Sequence, residues 1–205
     1  MAAGAGGLLL PALAFAVATS ATPGPNNMMV AASGANFGFR RTLPHMLGVA
    51  VGFPVMLVAL ALGAGEVFRT WPGIERGMRF AGAAYLLWLA WRIGSAPPKL
   101  AVARGAGRPL GFLQAAMFQW VNPKAWVIAV GAVVTFTSGG GAVLAQSLAL
   151  AALFLVASLS SVAFWTGVGA GAGRLLRRSA ALRAFNVAMA LLLVASLVPL
   201  FAEGR

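Results

Sequence analysis

The chain has 205 residues, 60% of them hydrophobic and 9% charged, against about 25% charged in an ordinary soluble domain. That excludes both a water-covered globule and intrinsic disorder. The net charge of +12 comes from 15 Lys and Arg set against three Glu (Glu66, Glu75 and Glu203), and the cations sit in short clusters between apolar runs, as in membrane-flanking loops and not as on the basic face of a nucleic-acid binder.

A membrane-spanning helix needs about 20 mostly apolar residues. Six are predicted, so that residues 1–205 form one all-α transmembrane domain. The first, 8–32, lies in a stretch without charge, residues 1–39. A cleaved signal peptide is the competing reading of residues 1–21, with Ala18-Thr19-Ser20-Ala21 as its site, but no basic residue precedes the apolar core. The second helix, 43–65, fills the uncharged run Thr42–Gly65. The third, 77–96, has only 12 uncharged residues between Arg79 and Arg92, so both arginines must snorkel. Trp88 and Trp91 then fall toward one interface, and Pro97-Pro98 ends the helix. The fourth, 110–137, and the fifth, 142–168, are divided by the turn signal Ser138-Gly139-Gly140-Gly141. The sixth is 182–201.

Lys and Arg set the orientation. The first, third and fifth loops hold ten: Arg40, Arg41, Arg92, Lys99, Arg104, Arg108, Arg174, Arg177, Arg178 and Arg183. The other side holds four: Arg69, Arg76, Arg79 and Arg205. Three loops are therefore expected in the cytoplasm and both termini outside. The Arg174–Arg183 cluster serves topology and anionic lipids, or alternatively a regulatory site.

Two helices are interrupted. Thr22-Pro23-Gly24-Pro25-Asn26-Asn27 breaks the first: two prolines remove backbone donors, and the glycine frees the backbone. Val121-Asn122-Pro123-Lys124 breaks the fourth. In lipid, such breaks are tolerated only inside protein or beside a cavity. Lys124 is about 20 Å of helix from either end, and a lysine there costs about 2.5–3.5 kcal/mol to insert. It is a functional candidate, or it satisfies the carbonyls that the break opens.

The breaks are about 98 residues apart, and the same shift lays the second helix on the fifth and the third on the sixth. The chain thus reads as two three-helix repeats, about 8–96 and 110–201. Three is odd, so the second repeat must be inverted, an architecture of secondary transporters. Half-helix N-termini after Pro25 and Pro123 suit a carboxylate. Lys124 adds positive charge, and Asn26, Asn27 and Asn122 supply donors and acceptors for a zwitterion. The expected substrate-binding set is Pro23, Gly24, Pro25, Asn26, Asn27, Gln119, Asn122, Pro123 and Lys124, with Trp120 beside it. With no cysteine, no aspartate, one histidine (His45) and one tyrosine (Tyr85), no metal, cofactor or catalytic group is expected. No Walker phosphate loop occurs, so this chain does not itself use ATP.

These residues resemble a known family. Ala21 to Asn27, then Ser33-Gly34 and Asn36 to Arg41, are similar to the first-helix signature of the LysE/RhtB amino-acid exporters. Pro44-His45, Leu47-Gly48, Gly82 to Leu86, Trp88-Leu89 and Asn122-Pro123-Lys124-Ala125 continue the likeness over nearly the whole chain. Tyr85 to Lys99 is most similar to the cysteine/O-acetylserine exporter branch. The resemblance implies a multi-pass bacterial inner-membrane protein that exports amino acids or close derivatives. Where the family has Asp or Asn after Pro-Gly-Pro, this chain has Asn26, so an acid there can play no coupling role.

The leading expectation is a secondary exporter of a small neutral amino acid or derivative, working by alternating access. The alternatives are a membrane enzyme using Lys124 as nucleophile, and a non-transporting assembly subunit. His45 takes part in proton coupling or is an interfacial histidine. Gly34-x-x-x-Gly38, Gly48-x-x-x-Gly52 and Gly167-x-x-x-Gly171 serve helix packing or a homodimer. Trp126 and Phe136 are read as packing or lipid-facing.

Overall fold

The computed structural model describes residues 5–64, 70, 72–95, 108–138, 142–176 and 179–198. Every regular element among them is helical: α1 (Ala5–Ala21), α2 (Pro25–Phe37), α3 (Phe39–Ala59), α4 (Pro72–Gly94), α5 (Phe112–Phe118), α6 (Pro123–Phe136), α7 (Val143–Leu175) and α8 (Ser179–Ala195). A π-turn, Leu60–Ala64, extends α3, and a 3₁₀ turn, Gln119–Val121, joins α5 to α6. The predicted first helix is α1 plus α2, and the predicted fourth is α5 plus α6.

The outer face of the bundle is apolar. Val134 is 75% exposed, Leu113 68% and Phe164 65%, a surface suited to hydrocarbon and not to water. Two continuous helices, Phe39–Ala64 and Val143–Leu175, are each long and apolar enough to cross a membrane. At 33 residues, α7 is about 50 Å long, more than the roughly 30 Å hydrocarbon core.

Several predicted boundaries move outward, because charged residues at a helix end cost little once they reach the interface. The first loop shrinks to Gly38, whose φ of 81° favours glycine, and Arg40 and Arg41 lie in the first turn of α3. Arg174 belongs to α7 and Arg183 to α8. The third predicted helix begins at Pro72. Glu66, Arg69, Pro97, Pro98, Lys99, Arg104, Gly139 to Gly141, Arg177, Arg178, Glu203 and Arg205 lie outside the described residues, as do the side chains of Glu75, Arg76 and Arg79.

Backbone contact at glycines holds the helices together. A β-carbon at Gly34 of α2 would overlap the Thr166 carbonyl oxygen of α7, and one at Gly169 or Gly173 would overlap the Ala31 or Ala35 carbonyl oxygen of α2. Such approach lets membrane helices gain dispersion energy where no hydrophobic drive exists. Gly48 and Gly52 seat α3 in the same way on Phe112 and Ala116 of α5. The expected Gly167/Gly171 pair makes no such contact: nothing lies within 4 Å of a β-carbon at either. The packing register on α7 is Gly169/Gly173, two residues on, because that is the face turned to α2.

α4 packs on α8 through Leu86, Leu89 and Leu193, and Gly82 meets the Val121 carbonyl in the 3₁₀ turn. Between α2 and α8, Asn36 and Asn186 form a reciprocal amide pair at 2.8 and 3.0 Å. A double-mutant cycle of Asn36→Ala and Asn186→Ala, read as unfolding free energy in micelles, is expected to give a coupling of about 0.6–1.7 kcal/mol. His45 is 1% exposed, with Nδ1 3.3 Å from Ser33 Oγ and Nε2 without a partner among the described residues. It is thus enclosed by the protein, with Ser33 of α2 beside it.

Candidate functional site

Helix α1 stops because Pro23 and Pro25 supply no N–H to continue it. Its last turn leaves carbonyls that lipid cannot satisfy. The four from Ser20 to Pro23 find side chains. Asn27 Nδ2 donates to Ser20 O at 2.8 Å and Thr22 O at 3.0 Å. Ser161 Oγ, on α7, also donates to Ser20 O, at 2.7 Å, and lies 3.3 Å from Asn27 Oδ1. Trp165 Nε1 donates to Ala21 O at 3.3 Å. Lys124 Nζ donates to Thr22 O at 2.8 Å and Pro23 O at 3.3 Å.

The second interruption supplies that lysine. Asn122 is extended (φ −87°, ψ 108°) and opens α6, with Pro123 in its first turn, where a missing N–H costs nothing. Lys124, next in line, reaches across to the first break. Its stem lies over Gly24, where a β-carbon would come within 2.8 Å of Lys124 Cδ. Any larger residue at 24 would have to push that stem aside, while the backbone itself is extended at φ 178°, a conformation open to any residue. Below this crossing, Asn26 and Gln119 exchange amide hydrogen bonds at 2.9 and 3.2 Å. Gln119 also donates to Ala115 O at 2.9 Å.

The two interruptions therefore meet, and a cavity of about 50 Å³ lies where they do, room for about four waters at 10–15 Å³ each. Of the nine residues expected at the site, Gly24, Pro25, Asn26, Asn27, Asn122 and Lys124 line it. Pro23, Pro123 and Gln119 do not. Pro23 presents its carbonyl to Lys124, and Pro123 starts α6. Gln119 is 0% exposed and braces Asn26 from behind, since both its amide groups are spent on neighbours. Trp120 is also absent from the lining: its ring packs on Trp126 at 6.3 Å and its carbonyl accepts the Trp126 indole N–H at 2.8 Å. Phe136 packs on Phe15.

The remaining walls come from both broken and unbroken helices. α3 gives Val49 and Phe53; α7 gives Phe154, Ser158 and Val162; α6 gives Ala125 and Ile128; Thr19 and Ser20 end α1. The only advance signal of the α7 contribution is the cluster Ser158-Leu159-Ser160-Ser161 in an apolar run. A chain of rings runs away from the cavity: Phe53 to Phe154 at 4.9 Å, Phe154 to Phe15 at 6.3 Å, Phe15 to Phe136 at 5.7 Å.

The polar content has a definite sense. The amides of Asn26 and Asn27 open α2 and have no helical acceptor, and the positive ends of α2 and α6 both begin at the cavity. Asn122 Oδ1 is buried without a partner among the described residues. A buried orphan acceptor is costly, so a donor from a bound molecule would relieve it. Positive helix ends, a lysine and an acceptor together suit a carboxylate that also carries N–H groups. Among the described residues no cluster of His, Cys, Asp and Glu can hold a metal.

Comparison with known proteins gives a concordant result. The family model described as LysE type translocator matches residues 17–202. The chain is 30% identical over 190 residues to the cysteine/O-acetylserine efflux protein of Escherichia coli (strain K12), covering 91% of this chain and 94% of that one. It is 33% identical over 191 residues to the protein of the same name from Salmonella typhimurium (strain LT2), with the same coverage. No solved structure matches the chain significantly.

Proposed function

This chain belongs to the LysE family of translocators, and from that premise we propose that it exports a small neutral amino acid, of the kind its efflux relatives are named for, outward across the bacterial inner membrane. It is a transporter and not an enzyme. The observation that carries the reading is the cavity shared by the two broken helices, with Lys124, Asn26, Asn27 and Asn122 on its wall.

The substrate carboxylate lies at the N-termini of α2 and α6, where backbone N–H groups and helix dipoles favour an anion. Its ammonium meets acceptors such as Asn122 Oδ1. Its short side chain lies against Phe53, Phe154 and Ile128, with the Ser158 hydroxyl as the one polar contact on that wall. A cavity this small selects against large side chains.

Transport proceeds by alternating access of two inverted three-helix units, α1–α4 and α5–α8. The packing supports this reading: α3 lies on α7 and α4 on α8, each a helix of one unit against its positional equivalent, while α1 and α2 pack on α7 and α5 packs on α3. That exchange is what a two-fold axis in the membrane plane produces. The excess of Lys and Arg in the first, third and fifth connections places those ends in the cytoplasm and both termini in the periplasm. In that orientation the ring chain from Phe53 to Phe136 runs toward the periplasmic end.

Reconstituted proteoliposomes loaded with labelled cysteine or O-acetylserine test the proposal. The intact protein is expected to release the label, and Asn26→Ala to slow release about tenfold, the cost of unpairing the buried Gln119 amide. No release of either solute by the intact protein would refute the function. Unchanged release from both Asn26→Ala and Lys124→Ala would refute the site.

A further inference from the structure

We infer that the carbonyls of Thr22 and Pro23 form a primary-ammonium subsite, that Lys124 occupies it as a built-in ligand, and that a substrate enters by exchanging its own ammonium for that of Lys124. The geometry comes first. Four carbonyls end α1, and their partners differ in kind. Ser20 O and Ala21 O are held by Asn27, Ser161 and Trp165, fixed donors on α2 and α7. Pro23 O has Lys124 alone among the described residues, and Thr22 O has Lys124 at the shorter distance, 2.8 Å against 3.0 Å from Asn27. These two oxygens converge on one nitrogen at the negative end of a helix, a setting that favours a cation.

The occupant is an alkylammonium on a flexible stem. Its approach is permitted by Gly24, whose β-carbon would lie 3.0 Å from Lys124 Nζ. The α-ammonium of an amino acid has the same three donors and the same charge. Three and four residues beyond Pro23, at Asn26 and Asn27, the chain turns from acceptor to donor as α2 begins. A zwitterion whose ammonium replaces that of Lys124 therefore has its carboxylate beside the α2 N-terminus, and the displaced lysine pairs with it.

The exchange sets selectivity. A zwitterion fills the cradle and gives Lys124 a counter-ion. A simple amine fills the cradle but strands the lysine charge in a low-dielectric site. A simple acid gives the lysine a partner but leaves Pro23 O without one and Thr22 O with Asn27 alone. Only the amino acid keeps every group satisfied.

The identity of the displacing zwitterion rests on the exporter reading; the cradle does not, and it is tested with methylammonium chloride. Thermal unfolding of the purified full-length protein is followed with increasing methylammonium, using tetramethylammonium chloride at equal ionic strength as the N–H-free control. In Lys124→Met the cradle accepts the added amine, and the midpoint is expected to rise by about 2 °C or more with methylammonium only. The intact protein is expected to show no difference between the salts. Gly24→Ala, which retains the lysine but pushes its stem aside, is expected to shift in the same direction and covers the case in which Lys124→Met does not fold. Equal response to the two salts in both variants would overturn the inference, as would a methylammonium-specific shift of the same size in the intact protein. Cysteine release by intact protein with no amine effect in the variants would sink the subsite alone; an amine effect without any amino-acid release would sink the exporter reading alone.

Discussion

Substituting valine for Gly169 will prevent α2 and α7 from packing, and little folded protein will survive extraction from the membrane. Even a β-carbon at this position overlaps the Ala31 carbonyl oxygen, and β-carbons at the neighbouring Gly34 and Gly173 would also overlap carbonyl oxygens, though less severely. Overpacking ordinarily costs about 1–3 kcal/mol because neighbours shift. Here the obstacle is backbone, and relief at one glycine opens the other two, so the expected loss is about 3 kcal/mol or more. Gly167→Val is the matched control, since nothing lies within 4 Å of its β-carbon. Yield and thermal midpoint in detergent should collapse for the first and stay near the parent for the second. Equal midpoints would show that this seam does not hold the bundle.

Asn27→Leu is expected to abolish efflux while leaving insertion intact. The Asn27 amide holds Ser20 O and Thr22 O and faces the Ser161 hydroxyl, so it pins the end of α1 to the start of α2 and to α7. Leucine keeps the volume and removes these bonds. Each buried group left unpaired costs about 1–3 kcal/mol, enough to displace the break and cut efflux by about tenfold or more. Ser161→Ala removes a single donor, from a carbonyl that Asn27 still holds, and should cost less. Efflux that falls equally in both would mean that Asn27 acts only through Ser161.

Much of this architecture was legible before any coordinates. Proline and glycine declare their local consequences, so both interruptions could be placed to within a residue or two. Their spacing of about 98 residues suggested them as partners. Lys124 stood out because a charge so far from either helix end needs a protein partner. Which partner was not legible: a carboxylate and a pair of carbonyls both suit an ammonium, and only the path over Gly24 shows it reaching Thr22 and Pro23. The unbroken helices were opaque for another reason. Ser161 and Trp165 carry no signal distinguishing a residue that faces the break from one that faces lipid, because α7 is apolar on every side. The glycine register on α7 failed on the same ground: Gly167, Gly169, Gly171 and Gly173 alternate, and tertiary contact alone decides which pair is used. Gln119 was identified as polar and central, but its burial behind Asn26 follows from the 3₁₀ turn, a feature no residue in Gln119-Trp120-Val121 announces.

The connection at Gly38 has a mechanical consequence. One residue joins α2 to α3, and the Gly38 N–H is bonded back to Gly34 O at 2.9 Å. The two helices therefore form a stiff hairpin with no slack at its tip. Thr22 to Gly24, by contrast, is a three-residue link between α1 and α2. A change of angle between α2 and α3 must be taken up at one residue, whereas a change between α1 and α2 can be spread over three.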